Sequence, residues 1–363
     1  MNNLIDEFRN SDTACKMVRI LSEYKGRPVN LMEVCGTHTM SIFRFGIRDV
    51  LPESIRLLSG PGCPVCVTPN YFIDAAIELA KMDDVIITTF GDMMRVPGNG
   101  SSLLEQKASG KDIRIVYSPL DSLKIAANNP DKKVVFLSVG FETTTPISAL
   151  TVIKAKEEGI NNFYLLSANK TMPEVLKTLC LDPEVNIDGF IYPGHVSVIT
   201  GTAMYDEIAE KYGMPGVIAG FEPLDILHAI IRLVSNIMSG RVLSENGYKR
   251  AVNPEGNPVA LARLYEVFEP CDARWRGIGL IPGSGLKMRD AYADYDAWKA
   301  FDIKVLDHSD PKGCLCGEVL KGKRTPKECK LFNTICTPEN PVGACMVSSE
   351  GTCAAYYKYD MKR

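Results

Sequence analysis

The sequence predicts an α/β protein: two similar doubly wound parallel-sheet domains facing each other across a cleft, plus a small cysteine-rich domain at the C-terminus. Three observations carry this expectation. From Arg27 onward, short β-branched runs alternate with amphipathic helical stretches, the pattern of a parallel sheet wrapped by helices. The pattern then begins again, with similar turns at an offset of about 105 residues, which reads as an internal duplication. Six of the twelve cysteines crowd between Cys314 and Cys353, in a tail too poor in long apolar side chains to build a core unaided.

Taken in order, residues 1–26 mix acidic and basic residues with Leu, Ile, Met and Val at helical spacing, an amphipathic helix packed on the first domain. They lack the apolar stretch and small-residue cleavage site of a secretory signal, so the expected location is the cytoplasm. Residues 27–120 form domain I, with strands expected at 28–34, 55–59, 84–90 and 113–118. Residues 121–240 form domain II, with strands at 133–139, 163–168, 189–192 and 216–219. The duplication pairs Tyr117-Ser-Pro-Leu-Asp121 with Phe221-Glu-Pro-Leu-Asp225, Leu57-Leu-Ser59 with Leu165-Leu-Ser167, and Phe90-Gly-Asp-Met93 with Pro193-Gly-His-Val196. Residues 241–311 are expected to be a helical return segment on domain I, with 275–280 adding a strand to its sheet. Residues 312–363 are the cysteine-rich domain.

Net charge of −3 and a pI near 5.9 supply no attraction to nucleic acid or an anionic membrane. No run of about 18 apolar residues occurs to span a bilayer. Twelve cysteines in a reducing compartment point to metal or catalysis rather than structural disulfides.

The chemistry concentrates in two turns at strand ends, the edge where parallel sheets bind ligands. Cys63-Pro-Val-Cys66 enters through Gly60-Pro-Gly62. A C-x-x-C pair at a strand-to-helix turn favours a redox dithiol; half a zinc site and two buried thiols are the alternatives. Cys35-Gly-Thr-His38 is open to three readings: nucleophile with base, soft-metal pair, or core cysteine beside a capping histidine. Gly140-Phe-Glu-Thr-Thr144, Pro193-Gly-His195 and Gly220-Phe-Glu222 would add two carboxylates, a histidine and hydroxyls for proton transfer, with helix capping as the plainer role of the threonines. Arg95 on the same rim suits an anion or a carboxylate. In the tail, the intervals from Cys316 onward are 13, 7, 9 and 8 residues. No C-x-x-C zinc knuckle occurs there, and the irregular spacing leans toward an iron–sulfur cluster.

These strings, with Thr89-Phe-Gly-Asp-Met-Met-Arg-Val-Pro-Gly98 and Cys345-Met-Val-Ser-Ser-Glu-Gly-Thr-Cys353, resemble the HypD family of [NiFe]-hydrogenase maturation factors along nearly the whole chain. The resemblance implies a scaffold on which the Fe(CN)2CO unit is assembled. It implies a small chaperone partner, HypC, a cyanide donor, HypE, and delivery to the hydrogenase large subunit. It implies a [4Fe–4S] cluster in the tail, for which Cys316, Cys329, Cys336 and Cys353 are chosen, six thiols competing for four places. Cys35 becomes the thiolate that holds the iron, Cys63 and Cys66 the redox pair, and His38, His195 and Glu350 the supporting polar residues. The competing readings are a stand-alone iron–sulfur thiol–disulfide oxidoreductase and a zinc-stabilised binding module.

Overall fold

All eight strands expected from the alternation form. In chain order they are β1 (Val29–Glu33), β2 (Ile55–Ser59), β3 (Val85–Thr89), β4 (Ile113–Ile115), β5 (Lys133–Ser138), β6 (Phe163–Ser167), β7 (Gly189–Pro193) and β8 (Gly216–Ala219), followed by β9 (Ser244–Asn246), β10 (Phe268–Trp275) and β11 (Gly279–Met288). The structure, a computed structural model, describes residues 6–305 and 311–360. The start of the expected N-terminal helix (1–5), the end of the return segment (306–310) and the last three residues of the tail lie outside them. Among the described residues no helix is long and apolar enough to cross a membrane.

The strands make two parallel sheets, but not with the membership expected. One sheet has the order β2-β1-β7-β8-β9 and the other β4-β3-β5-β6. Segments 27–120 and 121–240 therefore do not each own a sheet. The chain begins the first sheet, leaves to build the whole of the second, and returns to finish the first. Pairing of Leu31 with Gly189 and of Glu33 with Ile191 closes the gap. The reason lies in burial: β3 and β7 are buried at every residue and β1 at all but Asn30. Parallel strands covered on both faces need neighbours on both edges, and β1 finds its second neighbour only in β7.

Taking each sheet's own strands in chain order, both read 2-1-3-4, with a fifth strand in the first. The equivalent positions are thus β1 with β3, β2 with β4, β7 with β5 and β8 with β6. The 105-residue offset instead pairs β4 with β8 and β2 with β6, strands of different rank. Its best match has a local cause. Ser118-Pro119 with Asp121 and Glu222-Pro223 with Asp225 are both capping boxes with proline in the first turn, a combination that any helix start favours.

The return segment also differs from expectation. Its main element is the antiparallel hairpin β10–β11, and residues 275–280 are the tip of that hairpin rather than a strand of the first sheet. Leu264, Val267, Phe268, Leu286 and Met288 pack with Ile86, Val134 and Phe136 of the second sheet. The N-terminal helix forms at Ser11–Ser22 and buries Leu21 against the helix Pro223–Met238 of the first sheet. Among the described residues the tail has no strands, only short helices such as Cys316–Leu320, Ala344–Val347 and Thr352–Ala355.

Candidate thiol and metal centre

In the order β2-β1-β7-β8, successive connections leave β1 in opposite directions. The C-terminal ends of β1 and β7 mark the switch point where doubly wound sheets bind ligands. Cys35 and His38 follow β1, Cys63 and Cys66 follow β2, His195 follows β7 and Phe221 follows β8. Cys35 caps the helix Gly36–Arg44 in extended conformation.

Glycine lets the first two turns interlock. Gly60 N–H donates to Glu33 O (2.8 Å) and Gly36 N–H to Gly62 O (3.1 Å). A Cβ on Gly62 would lie 2.1 Å from the Cys35 nitrogen, and one on Gly36 would lie 2.5 Å from the Glu350 Cβ. The Gly-Pro-Gly entry is thus the space that lets the Cys63 turn lie on the backbone of Cys35. Cys63 and Cys66 are joined as a disulfide with Cα atoms 5.3 Å apart, and the Cys66 N–H donates to Cys63 Sγ (3.2 Å).

Cys35 is buried, and burial pushes its thiol up to about 12; the nearby Glu350 and Glu33 carboxyls push the same way, against the His38 and Thr37 backbone N–H groups. Glu33 is itself pushed up to about 7 by burial, although Thr39 Oγ1 donates to it at 2.6 Å. A protonated thiol facing acidic groups is a site where a metal cation displaces the proton. Thr37 Oγ1 donates to Glu350 Oε1 (2.6 Å) and so fixes the tail's carboxylate over the start of the Cys35 helix.

His38 is fully buried and lowered to about 4 by that burial. Its Nε2 sits 2.9 Å from Gly220 O. A carbonyl only accepts, so Nε2 carries the proton and Nδ1 is a bare acceptor, buried without a partner. Phe221 lies between the two histidines, 4.7 Å from His38 and 4.0 Å from His195. His195 is the exposed one, lowered by desolvation and raised by the charge of Glu350. The other candidate carboxylates have packing roles. Glu222 pairs with Arg9 and caps its helix. Glu142 is buried, pushed up to about 7, and accepts from Met172 N–H (2.9 Å). Arg95 donates to Pro338 O (3.0 Å), tying the second sheet to the tail rather than holding an anion.

The tail lies against both turns. Helix Ala344–Val347 packs on Pro64–Val67, and Thr352–Ala355 on the Cys35 helix. Cys316 and Cys345 share one buried cluster with Cys63, Cys66, Val34 and Trp275. All six tail cysteines line a single cavity whose remaining walls include Leu315, Val319, Leu331, Phe332 and Met346. The sulfurs are not equivalent. Cys316 Sγ and Cys345 Sγ touch at 2.9 Å. Cys314, Cys329 and Cys353 are partly exposed and Cys336 is buried. Among the described residues no three Cys, His, Asp or Glu side chains are grouped to hold a single ion, so the thiols ring a space instead of converging on a point. A set of soft thiolate donors around an apolar cavity fits an iron–sulfur cluster.

Sequence reasoning missed Glu33, Phe221 and the Cys316–Cys345 contact. Phe221 stood inside a motif read for its carboxylate. The contact joins cysteines 29 residues apart, which no local spacing announces.

The profile of the HypD family, described as "Hydrogenase formation hypA family", matches residues 12–360. The hydrogenase maturation factor HypD of Cupriavidus necator is 47% identical over 365 residues, covering 98% of this chain and 96% of that protein. HypD of Rhodobacter capsulatus is 48% identical over 338 residues, covering 92% and 90%. HypD of Escherichia coli is 44% identical over 365 residues, covering 98% and 97%. With identity of this order over nearly the full length of each, the chain belongs to the HypD family, whose named members are hydrogenase maturation factors.

Proposed function

We propose that this protein is a hydrogenase maturation scaffold, on which the Fe(CN)2CO unit of [NiFe]-hydrogenase is assembled with Cys35 as its iron ligand. The observation that carries the reading is the meeting of three groups at one place: Cys35 under the Gly62 turn, the Cys63–Cys66 disulfide, and the tail, whose Cys316 and Cys345 pack with the disulfide and whose Glu350 lies against the start of the Cys35 helix. Iron bearing cyanide and carbonyl is a soft centre that suits a thiolate. Cys35 binds it by giving up its proton, Glu350 and Glu33 favour the arriving cation, and neutral His38 holds the Cys35 helix to Gly220. HypC supplies the second protein ligand and HypE the cyanide, in the cytoplasm.

The tail cysteines are proposed to hold a [4Fe–4S] cluster. Cys316 is hydrogen-bonded to both Cys314 and Cys345, so sulfur contact singles out no pair, and Cys316, Cys329, Cys336 and Cys353 stay the four proposed ligands. When bound there, the cluster supplies single electrons at low potential. Cys63 and Cys66 take up two electrons as their S–S bond breaks and return them as it re-forms.

The test is infrared spectroscopy of the anaerobic complex with HypC. Cyanide and carbonyl stretches that disappear in Cys35→Ala support the scaffold. Their absence from a fully loaded complex favours the second reading, a stand-alone thiol–disulfide oxidoreductase, for which the Cys63–Cys66 disulfide speaks. A zinc-stabilised binding module would lack the broad absorbance near roughly 400 nm expected of an iron–sulfur protein.

A further inference from the structure

Arg276 is 3% exposed, and its positive charge is unanswered. Its backbone N–H donates to Val67 O and its Nε to Thr68 O, both at 2.9 Å, the two residues that follow Cys66. Its Nη2 is buried with no hydrogen-bond partner, and among the described residues no carboxylate pairs with it. The next residue, Gly277, presses on the tail: a Cβ there would lie 2.2 Å from Gly317 Cα, directly after Cys316. The tip of the β10–β11 hairpin is thus wedged between the turn carrying the Cys63–Cys66 pair and the helix that begins at Cys316. An unpaired buried guanidinium is destabilising unless negative charge arises beside it. The turn that Arg276 holds carries a group that can provide it, the Cys63–Cys66 pair just before Val67 and Thr68.

We infer that Arg276 is a positioning residue for the Cys63–Cys66 couple: it clamps the turn that bears the pair and supplies the counter-charge for the thiolate released when the disulfide is reduced. The inference rests on the redox role proposed above for that pair. In the reaction, an external dithiol gives two electrons and becomes a disulfide. The Cys63–Cys66 bond breaks, and of the two protons released each either joins a sulfur or, where thiolate persists, goes to solvent. A fixed cation makes the reduced form easier to reach.

The test uses the full-length protein, kept anaerobic and equilibrated in mixtures of reduced and oxidised dithiothreitol. After acid quenching and unfolding, free thiols at Cys63 and Cys66 are alkylated and counted by mass spectrometry. Arg276→Gln is expected to need about tenfold more reduced reagent to open half the disulfide, about 30 mV at two electrons. Arg276→Lys, which keeps the charge, is expected to stay within about threefold of wild type. A Gln variant within twofold of wild type, a shift in the other direction, or a Lys variant displaced as far as Gln overturns the role. Should circular dichroism show the Gln variant unfolded, the Lys variant decides by the same limits. If the wild-type pair shows no dithiol–disulfide equilibrium, the redox reading itself falls; if it titrates and Arg276→Gln leaves it unmoved, only the role of Arg276 does.

Discussion

Cys63 and Cys316 separate the roles of the sulfurs. Cys63→Ala removes the disulfide but none of the proposed cluster ligands, so hydrogenase maturation should be abolished while absorbance near roughly 400 nm persists. Loss of that absorbance would place Cys63 among the ligands. Between the two nearby tail thiols, Cys316→Ala, which removes a proposed ligand, should bleach the protein and Cys314→Ala should not; iron and sulfide analysis of both variants checks this. Glu142 gives a pH signature. Its carboxyl is raised from 4.5 to about 7 by burial. Between those values the unfolded chain has released the proton and the folded chain retains it, so stability falls as pH rises through the window and is level above it. The loss is about 3 kcal/mol. Urea unfolding of wild type and Glu142→Gln at pH 4 and pH 8 should show the variant gaining by that amount at the higher pH. Glu33 loses stability in the same direction and His38, lowered to about 4, in the opposite one, but both are common to the two proteins and cancel.

The decisive elements are two turns and a hairpin tip. The Gly60–Cys63 turn can lie on Cys35 only because Gly62 has no Cβ. Gly62→Ala must push the two turns apart, at a cost of about 1–3 kcal/mol for an overpacked contact. The expected outcome is a lowered thermal midpoint together with loss of the infrared bands of the HypC complex. The strand-end positions of these residues were legible in the sequence, since β-branched runs followed by glycine-bearing turns mark them in any parallel sheet. The hairpin was not. Residues 275–280 read as one strand because nothing local reveals that Gly277 and Gly279, both at positive φ, turn the chain back on itself.

At the scale of the whole molecule, the first sheet is discontinuous. A fragment of residues 27–120 contains β1 and β2 but neither β7 nor β8, and its strands β3 and β4 lack β5. It should therefore show no cooperative melt by circular dichroism, where an independent domain would show one. The tail is the other global feature. Ser348 Oγ donates to Asp92 Oδ2 (3.2 Å) beside the second sheet, and Glu350 accepts from Thr37 of the first, so it bridges both sheets.

The chain by itself determined the class of fold, all eight strands, the glycine-rich turns and the family, because these follow from local periodicity and from strings of adjacent residues. Only the tertiary structure decided which strands share a sheet, that Cys316 meets Cys345, that His38 is buried beneath Phe221, and that Arg276 is buried on the turn after Cys66 with no carboxylate partner among the described residues. Strand partnership and side-chain contact depend on what the whole chain buries together, and residues far apart in sequence carry no local mark of that.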